Sequence, residues 1–272
     1  MWSSTQITIA NTPYHIAINQ PISISLTLGK DKAKAWYQQD VSCIPFIFGD
    51  TVMAVSKGAS VNFNQLTIAP HAHTTHTECV GHISTEPVVI NQVVTQYFHL
   101  AMLITVTPVQ TIDGDFQITK EIIKHAFLNV CQSQNYDATF IQNVNTLVIR
   151  TQPNTIAKKN HCYDHTNWAY FTKDAIVYIR EMGIVHLLVD TPSVDKEDDK
   201  GVLVAHKAFW NYPQTLCLSR TITELIYVPN TVIDQVYVLD LQLADIHNNA
   251  TMSRPVLYAV VPIYSVHLKD GQ

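Results

Sequence analysis

The strongest constraint on the fold is a chain-long series of short runs rich in Val, Ile, Thr and Tyr, each bounded by Asn, Asp, Gly or Pro. They read ITIANTPYHIAI (7–18), ISISLTL (22–28), FHLAMLITVTPV (98–109), NTLVIRT (145–151), VHLLVD (185–190), ITELIYVP (222–229), QVYVLDLQL (235–243) and VLYAVVPIYSV (256–266). β-Branched and aromatic residues fit a pleated, half-buried surface and the bounding residues supply turns, so these runs are expected to be strands. Two segments break the pattern. TKEIIKHAFLNVCQ (119–132) sets Ile122, Ile123, Ala126, Phe127 and Val130 on one helical face, and TKDAIVYIREMG (172–183) does the same with Ala175, Ile176, Ile179 and Met182 before Gly183. Strand-rich sequence on both sides of each helix argues against a simple doubly wound βαβ series. The expectation is a mixed α/β fold, a β-rich and barrel-like core with helices packed outside, in a single domain over residues 1–272.

Composition narrows the function. With 272 residues and 47% apolar content the chain can bury a full core. Charged residues make up 14% and the net charge is −5, so the chain lacks the basic field a phosphate backbone requires, and nucleic acid is set aside as a partner. The start, MWSSTQITIANTPYHIAINQ, has no cationic segment followed by an apolar run, and no stretch reaches the roughly 18 apolar residues of a membrane span. A cytoplasmic, unprocessed protein without membrane contact is expected. Five scattered cysteines without a C-x-x-C pair suggest buried reduced thiols, Cys79 among them.

One stretch concentrates chemistry. PHAHTTHTECVGH (70–82) holds His71, His73, His76 and His82, four of the thirteen histidines, with Glu78 and Cys79 and no lysine or arginine. If the stretch is extended, His76 and Glu78 face the same way, as do His71 and His73. Imidazole and carboxylate converging is a metal-site composition, and a three-ligand site leaves positions open for water and substrate. Exposed loop histidines or hydrogen-bonded core groups are the competing reading. Further along, His206 in VAHKAFW and Glu224 in TITELIYVP stand among apolar residues, although period-two alternation also allows an exposed Glu224. His161 and His165 in HCYDHTNWAYF would suit a metal if helical but sit among loop formers, Arg150 reads as a surface strand end with an anion or internal carboxylate partner as the alternative, and DKEDDKG (195–201) reads as a solvated loop.

HAHTTHTECVGH, LLVDTPSVD and AHKAFW…TITELI, in that order, resemble the metal-dependent cyclase family that includes bacterial kynurenine formamidases (arylformamidases) and isatin hydrolases. The family hallmark is H-x-G-T-H-x-D with a further His four residues on, then D-T-P-S-x-D and a late His and Glu. The likeness runs from about residue 20 to about residue 260, and DTPSVD is its most specific piece. It implies a swivelling β/β/α fold in which His76 and Glu78 are metal ligands, His206 and Glu224 complete the metal centre, and His82 shuttles protons, with Glu224 also counted as catalytic. Trp36 in AKAWYQQD resembles the aromatic lining of the substrate pocket, and Asp190, Ser193 and Asp195 the fixed loop beside it. Ser193 and Asn167 are implied as substrate contacts, with Tyr170 beside Asn167. The chain departs from the hallmark in three places: Ala72 stands where the first histidine belongs, Thr74 replaces Gly, and Glu78 replaces Asp. A one-residue bulge is expected to bring His71, rather than His73, into the ligand set.

The resemblance implies a divalent metal, zinc first and manganese as the alternative, activating water for attack on an amide carbonyl of a small molecule. An arylformamidase-like hydrolase of tryptophan catabolism, acting as a homodimer or higher homo-oligomer, is the expectation. A non-catalytic metal- or small-molecule-binding relative, and a cyclase or dehydratase using the same centre, are the alternatives.

Overall fold

A computed structural model describes residues 5–262, so the tail of the last run, 263–266, lies outside the described residues. The strands that position the site are β1 (Thr5–Ile9), β2 (Thr12–Ile16), β3 (His76–Cys79), β4 (Phe98–Val106), β5 (Thr146–Thr151), β6 (His186–Val189), β7 (Thr221–Glu224), β8 (Val236–Leu243) and β9 (Ala250–Pro262). The helices needed below are α1 (Pro70–His73), α2 (Lys120–Ser133), α3 (Lys173–Glu181) and α4 (Val204–Trp210).

Seven of these strands close into a barrel in the order β9-β8-β4-β5-β6-β7-β3, with β3 pairing back onto β9. β4, β5, β6 and β7 run parallel, and β3, β8 and β9 supply the antiparallel remainder. The parallel strands need crossovers, and α2 and α3 lie in the chain between β4 and β5 and between β5 and β6. The first run splits into the β1–β2 hairpin because Ala10 and Asn11 take left-handed backbone at φ 49° and 64°, as a two-residue turn requires.

Period-two alternation separates two cores. Met102, Ile104, Leu147, Ile149, Leu187 and Val189 pack with Ile123 and Phe127 of α2 and Ile176 and Ile179 of α3. The intervening Leu103, Val148 and Leu188 turn the other way and fill the barrel with Tyr237, Leu239 and Leu257. A strand buried on both faces carries apolar residues at every position, which is why LVI and HLLV read as continuous runs. Thr119 caps α2, its hydroxyl accepting from the Ile122 amide.

Four expectations are corrected. Arg150 is buried, not a surface strand end: its guanidinium donates to Thr105 Oγ1, to the carbonyls of Pro229 and Val232, and to Asp234 Oδ1 at 2.9 Å. The internal carboxylate and carbonyls meet the hydrogen-bonding needs of the charge. The 195–201 segment is only partly a solvated loop, because Asp195 at its head is buried. Cys43 and Cys162 are exposed, while Cys79 is buried. The run at 22–28 pairs only over Ile22 and Ser23, with Ser25 bridging Ile226. His161 and His165 lie in a non-helical connection, and His165 takes φ 60°.

Two histidines occupy one end of the barrel interior. His99 and His186 stack with ring centroids 4.1 Å apart, and His186 Nδ1 lies 2.7 Å from Thr221 Oγ1. Burial, together with the neighbouring imidazole, pushes His186 down to about 3 from its ordinary 6.5. The unfolded chain therefore takes up a proton that the folded chain refuses, so this contribution to stability is present above about pH 6.5 and is lost as pH falls toward about 3. Replacing His186 by Gln is expected to flatten the pH dependence of the urea midpoint between about pH 4 and 6. Equal slopes in the two proteins would contradict the assignment.

Candidate metal centre

The site forms where β7 and β3 pair, Glu224 opposite His76 and Ile222 opposite Glu78. Parity places His76, Glu78 and Glu224 on the helix-covered face with Ile222, while Thr77 and Thr223 point to the other side and bond to each other at 2.8 Å. All three site residues are at most 3% exposed, which removes the exposed-face reading of Glu224. Period-two alternation does not expose either face here, because both sides of β7 are covered, Ile222 and Thr223 alike being fully buried; the strand ends at Leu225, which takes φ 55° and is buried as well.

The first histidine arrives by a route the sequence did not predict. Residues 70–73 form one helical turn, α1, with Pro70 at its first position, rather than a bulged strand. The turn separates the two candidates. His73 is engaged at both ring nitrogens, Nδ1 accepting from the Ala69 amide at 2.9 Å and Nε2 lying 2.8 Å from the Gln39 carbonyl. His71 instead points Nδ1 at Glu78 Oε2, 3.0 Å away, with Nε2 3.3 Å from Asn249 Oδ1.

His206 comes from α4, and Asp195 fixes it three times. Asp195 accepts from the amides of Ala205 at 2.7 Å and His206 at 3.1 Å, capping the helix start, and its Oδ2 lies 2.6 Å from His206 Nδ1. His206 Nε2 then faces Glu78 Oε1 at 3.0 Å and Glu224 Oε1 at 3.8 Å. His76 follows the same rule: Nδ1 lies 3.0 Å from the Thr74 carbonyl, and Nε2 faces Glu224 Oε2 at 3.4 Å. His82 closes the ring from the cavity wall, with Nδ1 3.9 Å from Glu78 Oε2 and its side chain 30% exposed.

Each outer nitrogen of His71, His76 and His206 meets a protein oxygen, so in the neutral imidazole the proton belongs there and the inner nitrogen turns a lone pair toward a carboxylate. Acceptor then faces acceptor, and His76 Nε2 and Glu78 Oε2 are buried without a hydrogen bond. Such an arrangement demands positive charge at its centre. Among the protein groups alone, burial opposes charge on His206, but Asp195 and Glu78 outweigh it and hold the imidazole well above its ordinary range. Burial pushes Glu78 upward, yet His82, His206 and His71 bring it well below the usual carboxylate range. A divalent cation meets the same demand, and the donor set fits one. Ligand atoms of His71, His76 and Glu78 lie within 4.8 Å of one another, as do those of Glu78, His82 and His206.

The surrounding loops are fixed by the DTPSVD segment. Glu224 Oε1 accepts from the Val194 amide at 2.9 Å, Ser193 Oγ from the Asp195 amide at 3.1 Å, and Asp190 accepts from Thr151 and from Lys158 Nζ at 2.8 Å. Thr75 donates to the Leu225 carbonyl and accepts from the Leu26 amide at 2.8 Å, tying the opening segment to the end of β7. Gly81 has a steric role: a Cβ there would lie 2.1 Å from the Val88 carbonyl oxygen, so only glycine lets the chain turn His82 toward Glu78.

A cavity of about 410 Å³ opens above the cluster, lined by His71, His82, His206 and Glu224, with Trp36, Ser193 and Leu203 among the other walls. Trp36 (φ 63°) and Leu203 (φ 51°) both hold left-handed backbone at this wall. Asn167 is corrected: it does not line this cavity, because its amide nitrogen donates to the Gly114 carbonyl at 3.1 Å and its backbone amide to Glu197. Tyr170 likewise bonds to Asp115. Sequence reasoning missed Lys196, Glu197, Asp199 and Leu203 as lining residues. The acidic run beside DTPSVD was the available signal.

Residues 16–196, more than half of the chain, match the family model described as "Putative cyclase". No curated protein matches. Among solved structures, the chain is similar to an isatin hydrolase bound to the product analogue thioisatinate (TM-score 0.62, 14% identity, 90% of this chain and 93% of that one). It is also similar to isatin hydrolase A from Labrenzia aggregata bound to benzyl benzoate (TM-score 0.62, 12% identity, 88% and 93%). A predicted metal-dependent hydrolase from Bacillus stearothermophilus is similar too (TM-score 0.58, 14% identity, 88% and 98%). At these identities the likeness establishes the fold.

Asp195 acts on the centre only through His206 and the start of α4. Asp195→Asn is expected to weaken divalent-metal affinity by about 10- to 100-fold with helix content retained, read by competition with a chromogenic chelator. Unchanged affinity would contradict the orienting role.

Proposed function

Because the chain belongs to the cyclase family, we propose that it is a divalent-metal-dependent hydrolase of a small-molecule amide, with an arylformamidase-like C–N bond as its first target. The observation that carries this reading is the convergence of three pre-oriented imidazoles on two buried carboxylates at the floor of an open cavity. His71, His76, Glu78, His206 and Glu224 would hold the metal, zinc first and manganese as the alternative, since imidazole and carboxylate serve both. When bound, such a cation supplies Lewis-acid polarisation of a carbonyl and acidifies water toward neutral pH.

The protein's own groups do the rest. Trp36 and Leu203 offer apolar wall to an aryl group, and a cavity of about 410 Å³ suits one or two rings. His82, partly exposed beside Glu78, exchanges protons between the departing nitrogen and solvent. Asp195 holds His206 in one tautomer throughout. Glu78, one methylene longer than the family's Asp, matches a His71 displaced by one residue, so the two departures compensate each other in reach. Isatin, a cyclic amide, is the second candidate substrate, because the similar folds include isatin hydrolases.

Hydrolysis of N-formylkynurenine and of isatin by the chelator-treated full chain, before and after adding zinc or manganese, tests the proposal. Turnover restored by metal and reduced at least about a hundredfold in Glu78→Ala is expected. Absence of turnover on both substrates by a metal-loaded protein would favour the non-catalytic relative.

A further inference from the structure

A second cavity, of about 530 Å³, lies outside the metal centre. It sits at the carboxyl ends of the parallel strands β4, β5 and β6, where Thr107 and Pro108, Gln152 and Pro153, and Asp190 and Thr191 follow the last strand residues. Ligand crevices in α/β proteins form at such strand ends. Phe116, Tyr163 and Trp168 give it aromatic walls.

The polar groups in this cavity define what it would accept. Lys158 spends its ammonium on Asp190 Oδ2 at 2.8 Å, Thr151 Oγ1 at 2.9 Å and the Thr151 carbonyl at 3.0 Å. That pair is internally neutralised, so neither charge is free for an ionic ligand. Trp168 spends its indole N–H on the Asp195 carbonyl at 3.0 Å and offers only its ring. Tyr163 differs: it is 6% exposed, lines the cavity, and its hydroxyl has no hydrogen-bond partner among the described residues. The ring is buried but the hydroxyl oxygen is not, so it reaches the cavity, where water or a ligand's polar group can meet it.

The wall between the two cavities is also defined. Trp168 meets Trp36 of the metal-side cavity edge to face, with ring centroids 5.2 Å apart at 84°. Through its N–H it also holds Asp195, which orients His206. We propose that this second cavity binds a neutral, planar aromatic small molecule bearing one hydrogen-bonding group. Tyr163 supplies the polar contact, and Trp168 couples the occupied site to the metal centre. The binding stands on this cavity alone, while the coupling rests on the hydrolase reading.

Indole is a suitable probe, being neutral, planar and without a carbonyl to meet a metal. Calorimetric titration of the chelator-treated full chain is expected to give saturable one-to-one binding with Kd of about 1 mM or tighter. Tyr163→Phe should weaken it about three- to tenfold. Ala157→Trp, at an exposed position on the cavity rim, should abolish it, and Leu203→Trp, in the metal-side cavity, should leave it unchanged. Absence of binding up to about 10 mM, or binding lost in Leu203→Trp and kept in Ala157→Trp, would overturn the site. With the metal-loaded protein, saturating indole should shift kcat or KM of the wild type and not of Ala157→Trp. An equal shift in both proteins would overturn the coupling while leaving the binding result intact.

Discussion

The structure depends on one electrostatic arrangement: lone pairs of three imidazoles and two carboxylates, all turned toward one another in a water-poor seam of a barrel. Ionised carboxylates out of water cost several kcal/mol each unless a positive charge meets them. Pairing β3 with β7 brings Glu78 and Glu224 onto the same face, and His71, His76 and His206 are then aimed inward by oxygens bonded to their outer nitrogens. A cation resolves the conflict for every member at once. Protonation of the histidines resolves it only in part, which is the physical reason for reading the cluster as a metal centre.

Much of the surrounding scaffold serves that aim. Asp195 caps α4 and orients His206 in the same stroke, so helix position and imidazole position cannot drift apart. Thr75 binds the end of β7 to the opening segment of the chain, and Val194 holds Glu224 through its amide. Left-handed leucines at 203 and 225 store backbone strain where α4 begins and β7 ends. Such strain persists because the packed neighbours overdetermine it.

The barrel was legible because β-branched runs bounded by turn residues survive in the sequence even where a strand buries both faces and loses period-two patterning, as in β5 and β6. Met102 and Leu103 alternate between two cores, and that alternation requires only local geometry. The metal-site residue types were legible as well, through the crowding at 70–82 and the likeness around DTPSVD. The turn at 70–73 was not, since four residues are too few for helical periodicity to register and Pro70 was its only marker. Arg150 and Asn167 were misplaced for a related reason: their partners, Asp234 and Gly114, lie far away in sequence, and no local pattern announces them. Burial of Asp195 inside an acidic run escaped likewise, because its partner is a helix start ten residues on.

The central claim is that the inward-facing nitrogens and carboxylates share a cation. The most direct measurement is anomalous diffraction, at the zinc or manganese absorption edge, from crystals of the full chain grown with that metal. The account predicts an anomalous peak bounded by His71, His76, Glu78 and His206, with His73 uninvolved. A cluster free of anomalous signal, or a peak confined to surface histidines such as His161 and His165, would contradict it.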